Sequence, residues 1–187
     1  MPLALPVILA AHAPTAAQIA RQLARESHRC SGKLTLTGDG VGAVRVGAPV
    51  AAVRRACRVP VRKARKGEAP RSPDAFVVKV GSGLVQVEAR GGRVWRVLVD
   101  DGDLRTLDRL GVGSPLSALL AQGPVRAGET EGVIYATGPA HCGMAFALSY
   151  KPARGEDRDN WSAEALSRLP PDTIVDRVLI EGCGVAR

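Results

Sequence analysis

Cys142 and the adjacent His141 are the residues whose types come nearest to a nucleophile and its base. A catalytic thiol needs a base within hydrogen-bonding reach of its sulfur. Adjacent residues in a strand point to opposite faces, so His141 is poorly placed to deprotonate Cys142. We therefore predict no catalytic residues, and we keep a thiol- or hydrolase-type enzyme that uses His141 and Cys142 as the alternative.

The cysteines of the chain are Cys30, Cys57, Cys142 and Cys183. An even number in an exported protein favours two disulfides. A metal site is a poorer interpretation, because no C-x-x-C spacing is present and the adjacent His141 and Cys142 cannot easily bind one ion. Four cysteines allow three pairings, and their number does not choose among them.

Residues 38–43, with the sequence GDGVGA, nearly match the dinucleotide-binding pattern G-x-G-x-x-G/A. That pattern needs a helix next, so that the amides at the helix start face the pyrophosphate. The following residues 44–47, Val-Arg-Val-Gly, are typical of a strand instead. We therefore predict that the protein has no cofactor.

The net charge of +8 is concentrated before residue 76, where 13 Lys and Arg face four Asp and Glu. We define the basic segment as residues 54–71. Its cationic residues are Arg54, Arg55, Arg58, Arg62, Lys63, Arg65, Lys66 and Arg71. The segment is interpreted as a solvated loop, or as a contact for an acidic protein or an anionic surface. Nucleic acid is a poorer partner, because no aromatic residue is interleaved with these charges.

Two tryptophans are further candidate contacts for a partner. Alternation along residues 93–99 places Trp95 on one face with Val97 and Val99, as a core residue or as an exposed anchor. Trp161 precedes a short helix and is expected to fix that helix to the sheet, with a partner contact as the alternative.

The first residues favour export. Residues 3–11 are apolar, and Ala11-His12-Ala13 has the form of a cleavage site, so residues 1–13 are predicted to be a signal peptide. The absence of Lys or Arg ahead of the apolar residues and the presence of Pro14 favour the alternative, an apolar tail on a cytosolic protein. We predict a periplasmic or secreted bacterial protein without a transmembrane segment, in which residues 14–30 form a flexible leader.

The chain also repeats itself. Residues 46–53, VGAPVAAV, are echoed 66 residues later by residues 112–119, VGSPLSAL. In both copies a strand-like stretch leads through Val-Gly and Pro into a short apolar helix. This predicts two similar α+β units, 31–100 and 101–187, joined across a shared groove. One disulfide in each unit then gives the pairs Cys30–Cys57 and Cys142–Cys183.

The predicted fold class is α+β, with antiparallel sheet and short helices. The expected strands are 33–37, 41–46, 75–80, 84–89, 93–99, 104–107, 133–137, 143–150 and 174–181. Helices are expected at 49–57 and 115–122, and an inserted helix at 162–169 begins at Ser162.

This pattern resembles the β-lactamase inhibitory protein fold and the small outer-membrane assembly lipoproteins of the BamE type. The resemblance depends on residues 46–49 and 112–115, on the helices that follow them and on the strands after those. It implies a tandem repeat and an exported binding scaffold. Inhibition of a β-lactamase is not implied, because the aromatic residues of that inhibitor's binding face are mostly absent. We predict a non-enzymatic protein-binding or structural module of the bacterial envelope, with an unknown, acidic partner.

Overall fold

The structure is a computed structural model that describes residues 15–26, 28–57, 75–152 and 161–184. The helices are α1 (Ala16–Glu26), α2 (Val50–Ala56), α3 (Leu116–Leu120) and α4 (Ala163–Ser167), with a 3-10 turn at Pro139–His141. The strands are β1 (Leu36–Thr37), β2 (Gly40–Val41), β3 (Val44–Arg45), β4 (Phe76–Val80), β5 (Gly83–Arg90), β6 (Arg93–Val99), β7 (Arg126–Thr130), β8 (Val133–Thr137), β9 (Met144–Leu148) and β10 (Val175–Ile180). The predicted α+β class with antiparallel sheet is confirmed.

Seven strands form one antiparallel sheet in the order β4-β5-β6-β10-β9-β8-β7. The strands of residues 76–99 and those of residues 126–180 meet where β10 pairs with β6, with Leu179 opposite Leu98. We call this junction the seam. The strands of residues 76–99 and of residues 126–180 therefore belong to one continuous sheet. The short strands β1, β2 and β3 form a separate small sheet.

One face of the large sheet is the core, and valine fills much of it. Val85, Val87, Val97, Val99 and Val178 are all fully buried. Only 3% of the chain is aromatic, so Phe146 is the largest fully buried side chain among the described residues. Branched side chains pack well on a pleated surface, which is why this composition favours sheet.

The two Val-Gly-x-Pro segments occupy matching positions beside the sheet. Gly47 N–H donates to the Val94 carbonyl at the start of β6, and Gly113 N–H donates to the Val175 carbonyl at the start of β10. Val94 and Val175 in turn donate to the residue after each glycine. The φ angles of Gly47 and Gly113 are 82° and 83°, a region that favours glycine. The helix that follows each proline thus starts at the same kind of position.

Several predicted elements differ from the observed ones. Residues 104–107 are not a strand, and Arg105 makes only an isolated bridge to Thr35. Strand β7 was not predicted. The inserted helix is shorter than predicted, and the Ser162 hydroxyl accepts a hydrogen bond from Ala165 N–H as its N-cap. Part of the segment predicted as a leader is helix α1. The predicted signal peptide, residues 1–13, lies outside the described residues.

Candidate functional site

The four cysteines form two disulfides, Cys30–Cys57 and Cys142–Cys183, with Cα–Cα distances of 5.0 and 5.1 Å. This is the pairing predicted from the repeat. The second pair follows from the sheet, since β9 and β10 are antiparallel and Met144 lies opposite Ile180. Cys142 precedes β9 and Cys183 follows β10, so the two residues lie side by side. Cys57 is buried in the core, whereas Cys142 and Cys183 are exposed.

The turn after β1 packs tightly on the second disulfide. Gly182 N–H donates to the Gly38 carbonyl at 3.1 Å, and Cys183 N–H donates to the Asp39 carboxylate at 3.3 Å. A Cβ at Gly38 would lie 1.9 Å from the Cys142 carbonyl oxygen. Glycine is therefore required there by close approach, and the glycine-rich segment at 38–43 serves packing between distant parts of the chain.

His141 takes part in a short polar chain next to this disulfide. Its Nε2 lies 2.9 Å from Asp108 Oδ2, and the Thr106 hydroxyl donates to the other oxygen of Asp108. The His141 ring also packs edge-on against Phe146. Since Cys142 is bonded to Cys183, it is not a free thiol in this structure. His141 thus links two loops, and the geometry does not pair it with Cys142 as a base.

Trp95 lies at a β-bulge, which corrects its predicted face. The β5–β6 register shifts, with Glu88 opposite Arg96 and Ala89 opposite Val94. The extra residue in β6 leaves Val94 and Val97 both buried, and Trp95 half-buried. Trp95 therefore does not share the buried face of Val97 and Val99. It contacts solvent, and the Arg90 guanidinium lies 4.6 Å from its ring centroid.

We call the sheet face opposite the core the outer face. Its cross-strand row at the seam consists of Gln86, Leu98, Leu179 and Ala145, one from each of four adjacent strands. Gln86 and Leu98 are half-buried, whereas Leu179 is 7% exposed. Ion pairs lie on both sides of this row. The outer face therefore combines an apolar centre with charged borders.

On one side of the row, Arg96 forms two ion pairs. Its Nε lies 2.7 Å from Glu88 Oε2, and its Nη1 lies 3.8 Å from Glu181 Oε1. On the other side of the row, Arg177 Nε donates to Asp100 Oδ1. This hydrogen bond raises the pKa of the Arg177 guanidinium. Tyr135 belongs to the same face, because it lies opposite Ala147, and Ala147 lies opposite Arg177. Tyr135, Arg96 and Arg177 were not predicted as site residues, since only the strand register places them on one face.

Trp161 is buried at the edge of the sheet. Its side chain is 7% exposed, and its backbone exchanges two hydrogen bonds with Ala127 of β7. The ring packs edge-on against Tyr150, with centroids 6.0 Å apart. Its role is therefore to fix α4 and the edge of the sheet, as the first interpretation proposed.

Only the first two cations of the basic segment are described. Arg54 and Arg55 are exposed in the last turn of α2, and the Arg54 guanidinium lies 5.4 Å from the Phe76 ring centroid. The rest of the predicted contact lies outside the described residues. It consists of Arg58, Arg62, Lys63, Arg65, Lys66 and Arg71.

Across residues 15–26, 28–57, 75–152 and 161–184, no three or more His, Cys, Asp or Glu side chains are grouped so that they could hold a metal ion. In the same ranges, every helix is too short or too polar to cross a membrane.

The fold and the disulfides define an α+β protein with an antiparallel sheet and two internal crosslinks. No protein-family model and no curated protein matches the chain. A solved structure to which it is similar is that of the uncharacterized protein yfeY from Escherichia coli, with a TM-score of 0.44 and 13% sequence identity. That match covers 80% of this chain and 99% of the other. At this level the likeness carries no functional inference.

Proposed function

We propose that the chain is an exported, non-enzymatic module that binds a protein partner through the outer face of its sheet. The observation that carries the proposal is the composition of this face on the strands around the seam. Trp95 is half-exposed and has Arg90 and Arg96 beside its ring. Across the seam, Tyr135 is half-exposed on β8, in the same cross-strand row as Arg177. Aromatic residues and arginine are the types that contribute most to protein–protein binding.

The proposed location is the periplasm or the exterior of the cell. Its support is the use of all four cysteines in disulfides, since such bonds persist in oxidising compartments and are rare in the bacterial cytosol. The apolar residues 3–11 support it independently.

The proposal includes an internal duplication, in which an approximate twofold axis through the seam relates the two copies. In this relation β6 corresponds to β10, β5 to β9 and β4 to β8. It is supported by the matching hydrogen bonds of Gly47 and Gly113 and by the antiparallel pairing of the two last strands. The expected likeness to the β-lactamase inhibitory protein and BamE-type folds remains part of this proposal.

A binding experiment tests the outer face. Immobilised wild-type protein and a Trp95→Ala variant would be used to capture partners from envelope extracts, with Leu107→Ala as the matched control. Leu107 is 50% exposed and lies in a loop away from the seam. A protein that is retained by the wild type and the control, and at least tenfold less by Trp95→Ala, supports the proposal. Equal capture by all three would contradict it.

The two alternatives have their own measurements. Titration of thiols in the denatured, non-reduced natural protein should find none, whereas a reactive Cys142 favours the enzyme. A gel-shift titration with oligonucleotides at low salt tests the nucleic-acid alternative, since binding through the basic segment would show steep salt dependence.

A further inference from the structure

We propose that a groove beside helix α1 binds phosphate groups, as a site separate from the outer face. The groove has a volume of about 410 Å³. We call it the α1 groove. Its lining consists of Gln18, Arg21, Gln22, Arg25, Glu26, Arg29 and Lys33. Four of these seven side chains are cationic, and one is acidic.

Among the described residues, the four cations of the α1 groove have no carboxylate partner. Arg21, Arg25, Arg29 and Lys33 are exposed, and no carboxylate of the described residues lies within 4.0 Å of their charged nitrogens. Four arginines elsewhere in the described ranges are paired. Arg45, Arg96, Arg168 and Arg177 each form an ion pair. The lining of the α1 groove thus has a formal charge of +3, from four cations and the carboxylate of Glu26.

The acidic residue of the groove is already occupied. Glu26 is 7% exposed, and its carboxylate accepts hydrogen bonds from Thr35 N–H at 2.8 Å and from Gln22 Nε2 at 2.9 Å. The Thr35 hydroxyl contributes a longer contact of 3.4 Å. Glu26 therefore connects α1 to the residue before β1. An anion in the groove would meet the four cations while this carboxylate remains engaged in its own hydrogen bonds.

The opposite wall of the groove is fixed by backbone hydrogen bonds. The Arg29 carbonyl accepts from Ala43 N–H at 2.9 Å, and the Cys30 carbonyl accepts from Gly81 N–H at 2.8 Å. The disulfide of Cys30 with Cys57 holds the same segment. Because the backbone on both sides is held, binding need not order the chain itself, and only the four side chains lose freedom when a ligand arrives.

Phosphate is the chemistry that this arrangement fits. Arginine presents planar donors that match phosphate oxygens in pairs, and lysine adds a point charge. The phosphate can belong to the headgroups of an anionic phospholipid surface or to a free phosphorylated molecule. A phospholipid surface is the expected source, because each of the adjacent cations adds to the attraction by an anionic surface.

The test uses the full-length oxidised protein with two probes. Vesicles of phosphatidylcholine containing phosphatidylglycerol are compared with pure phosphatidylcholine in co-sedimentation, and pyrophosphate binding is measured by calorimetry. The test variant is Arg21→Gln/Arg25→Gln. The control is Lys79→Gln/Arg126→Gln, which removes the same charge from exposed positions outside the groove.

We expect the wild type to bind at least one probe, and the test variant to bind it about 30-fold more weakly. The control should stay within about threefold of the wild type, and binding should weaken as salt is raised. Binding to vesicles identifies a lipid headgroup, and binding to pyrophosphate alone identifies a free phosphate. A second variant, Arg21→Lys/Arg25→Lys, keeps the charges but lacks the paired planar donors, so it should lose less binding than the glutamine variant.

The proposal is overturned if neither probe binds, or if the test and control variants lose binding equally. It is also overturned if the lysine variant loses as much as the glutamine variant, since charge would then not be the cause. If the protein binds a duplex oligonucleotide more tightly than it binds the vesicles or pyrophosphate, the groove is a nucleic-acid site instead and the proposal is overturned. The Trp95→Ala experiment tests only the outer face, and the Arg21 and Arg25 variants test only the α1 groove. Either proposal can therefore fail while the other stands.

Discussion

Removal of the Cys142–Cys183 disulfide isolates the effect of a crosslink from the effect of packing. The variant Cys142→Ala/Cys183→Ala truncates two exposed residues, so it leaves no cavity in the core. The two residues are 41 apart in sequence. Closing a loop of this length in the unfolded chain removes about 4 kcal/mol of conformational free energy. We expect the free energy of unfolding to fall by that amount.

The Cys30→Ala/Cys57→Ala variant is the informative comparison. Its shorter separation of 27 residues predicts about 3.6 kcal/mol from loop entropy. Cys57 is 1% exposed and packs in the core, so truncation also removes buried contacts worth roughly 1 kcal/mol. Removal of Cys30–Cys57 should therefore lower the free energy of unfolding more than removal of Cys142–Cys183. Loop entropy alone predicts the opposite order.

Denaturant unfolding of the wild type and both variants, followed by tryptophan fluorescence without reductant, measures these differences. Trp161 is a suitable probe, because it is buried and would be exposed on unfolding. In a chain of this size, a loss of about 4 kcal/mol also lowers the melting temperature by roughly 8–16 °C. A loss below about 1 kcal/mol on removing Cys142–Cys183 would refute the reasoning.

Further predictions concern packing and the connection of α1. Gly38→Ala should destabilise the protein by at least about 3 kcal/mol, because the new Cβ would lie 1.9 Å from a backbone oxygen. Gly128→Ala is the control, since its Cβ would have nothing within 4 Å, and it should change stability by less than about 1 kcal/mol in the same unfolding assay. Phe146→Ala should cost about 3–5 kcal/mol, since this side chain is fully buried, and a smaller loss in calorimetry would show that the core collapses around the gap. Glu26→Ala should accelerate amide hydrogen exchange at Thr35, because its N–H loses its acceptor, and unchanged protection would show that α1 is held by other contacts.

Local features of the sequence predicted much of the fold. Strand β6 has its predicted bounds at Arg93–Val99, because alternating branched residues lie between two glycines and an acidic turn. The Val-Gly-x-Pro segments likewise predicted the two short helices, since proline favours a helix start. The disulfide pairing followed from assigning one crosslink to each half.

Non-local features could not be predicted in this way. Strand β7 contains Ala and Gly in place of branched residues, and it is a strand because β8 and the backbone of Trp161 pair with it. The bulge that turns Trp95 towards solvent depends on the register with β5. The contact of Glu26 with Thr35 likewise depends on how α1 meets the small sheet. Each of these features is set by a partner elsewhere in the chain.

The position of β10 at the seam has a consequence for biosynthesis. β10 follows every other described strand in chain order, yet it lies in the middle of the sheet, between β6 and β9. A nascent chain that ends before β10 can form β4-β5-β6 and β9-β8-β7 only as two separate sheets. The backbone hydrogen-bonding groups of β6 and β9 that pair with β10 are then unpaired. Such edges invite intermolecular pairing. Chains released early by the ribosome should accordingly aggregate, and delivery in an unfolded state to the place of folding would protect the protein until its final strand arrives.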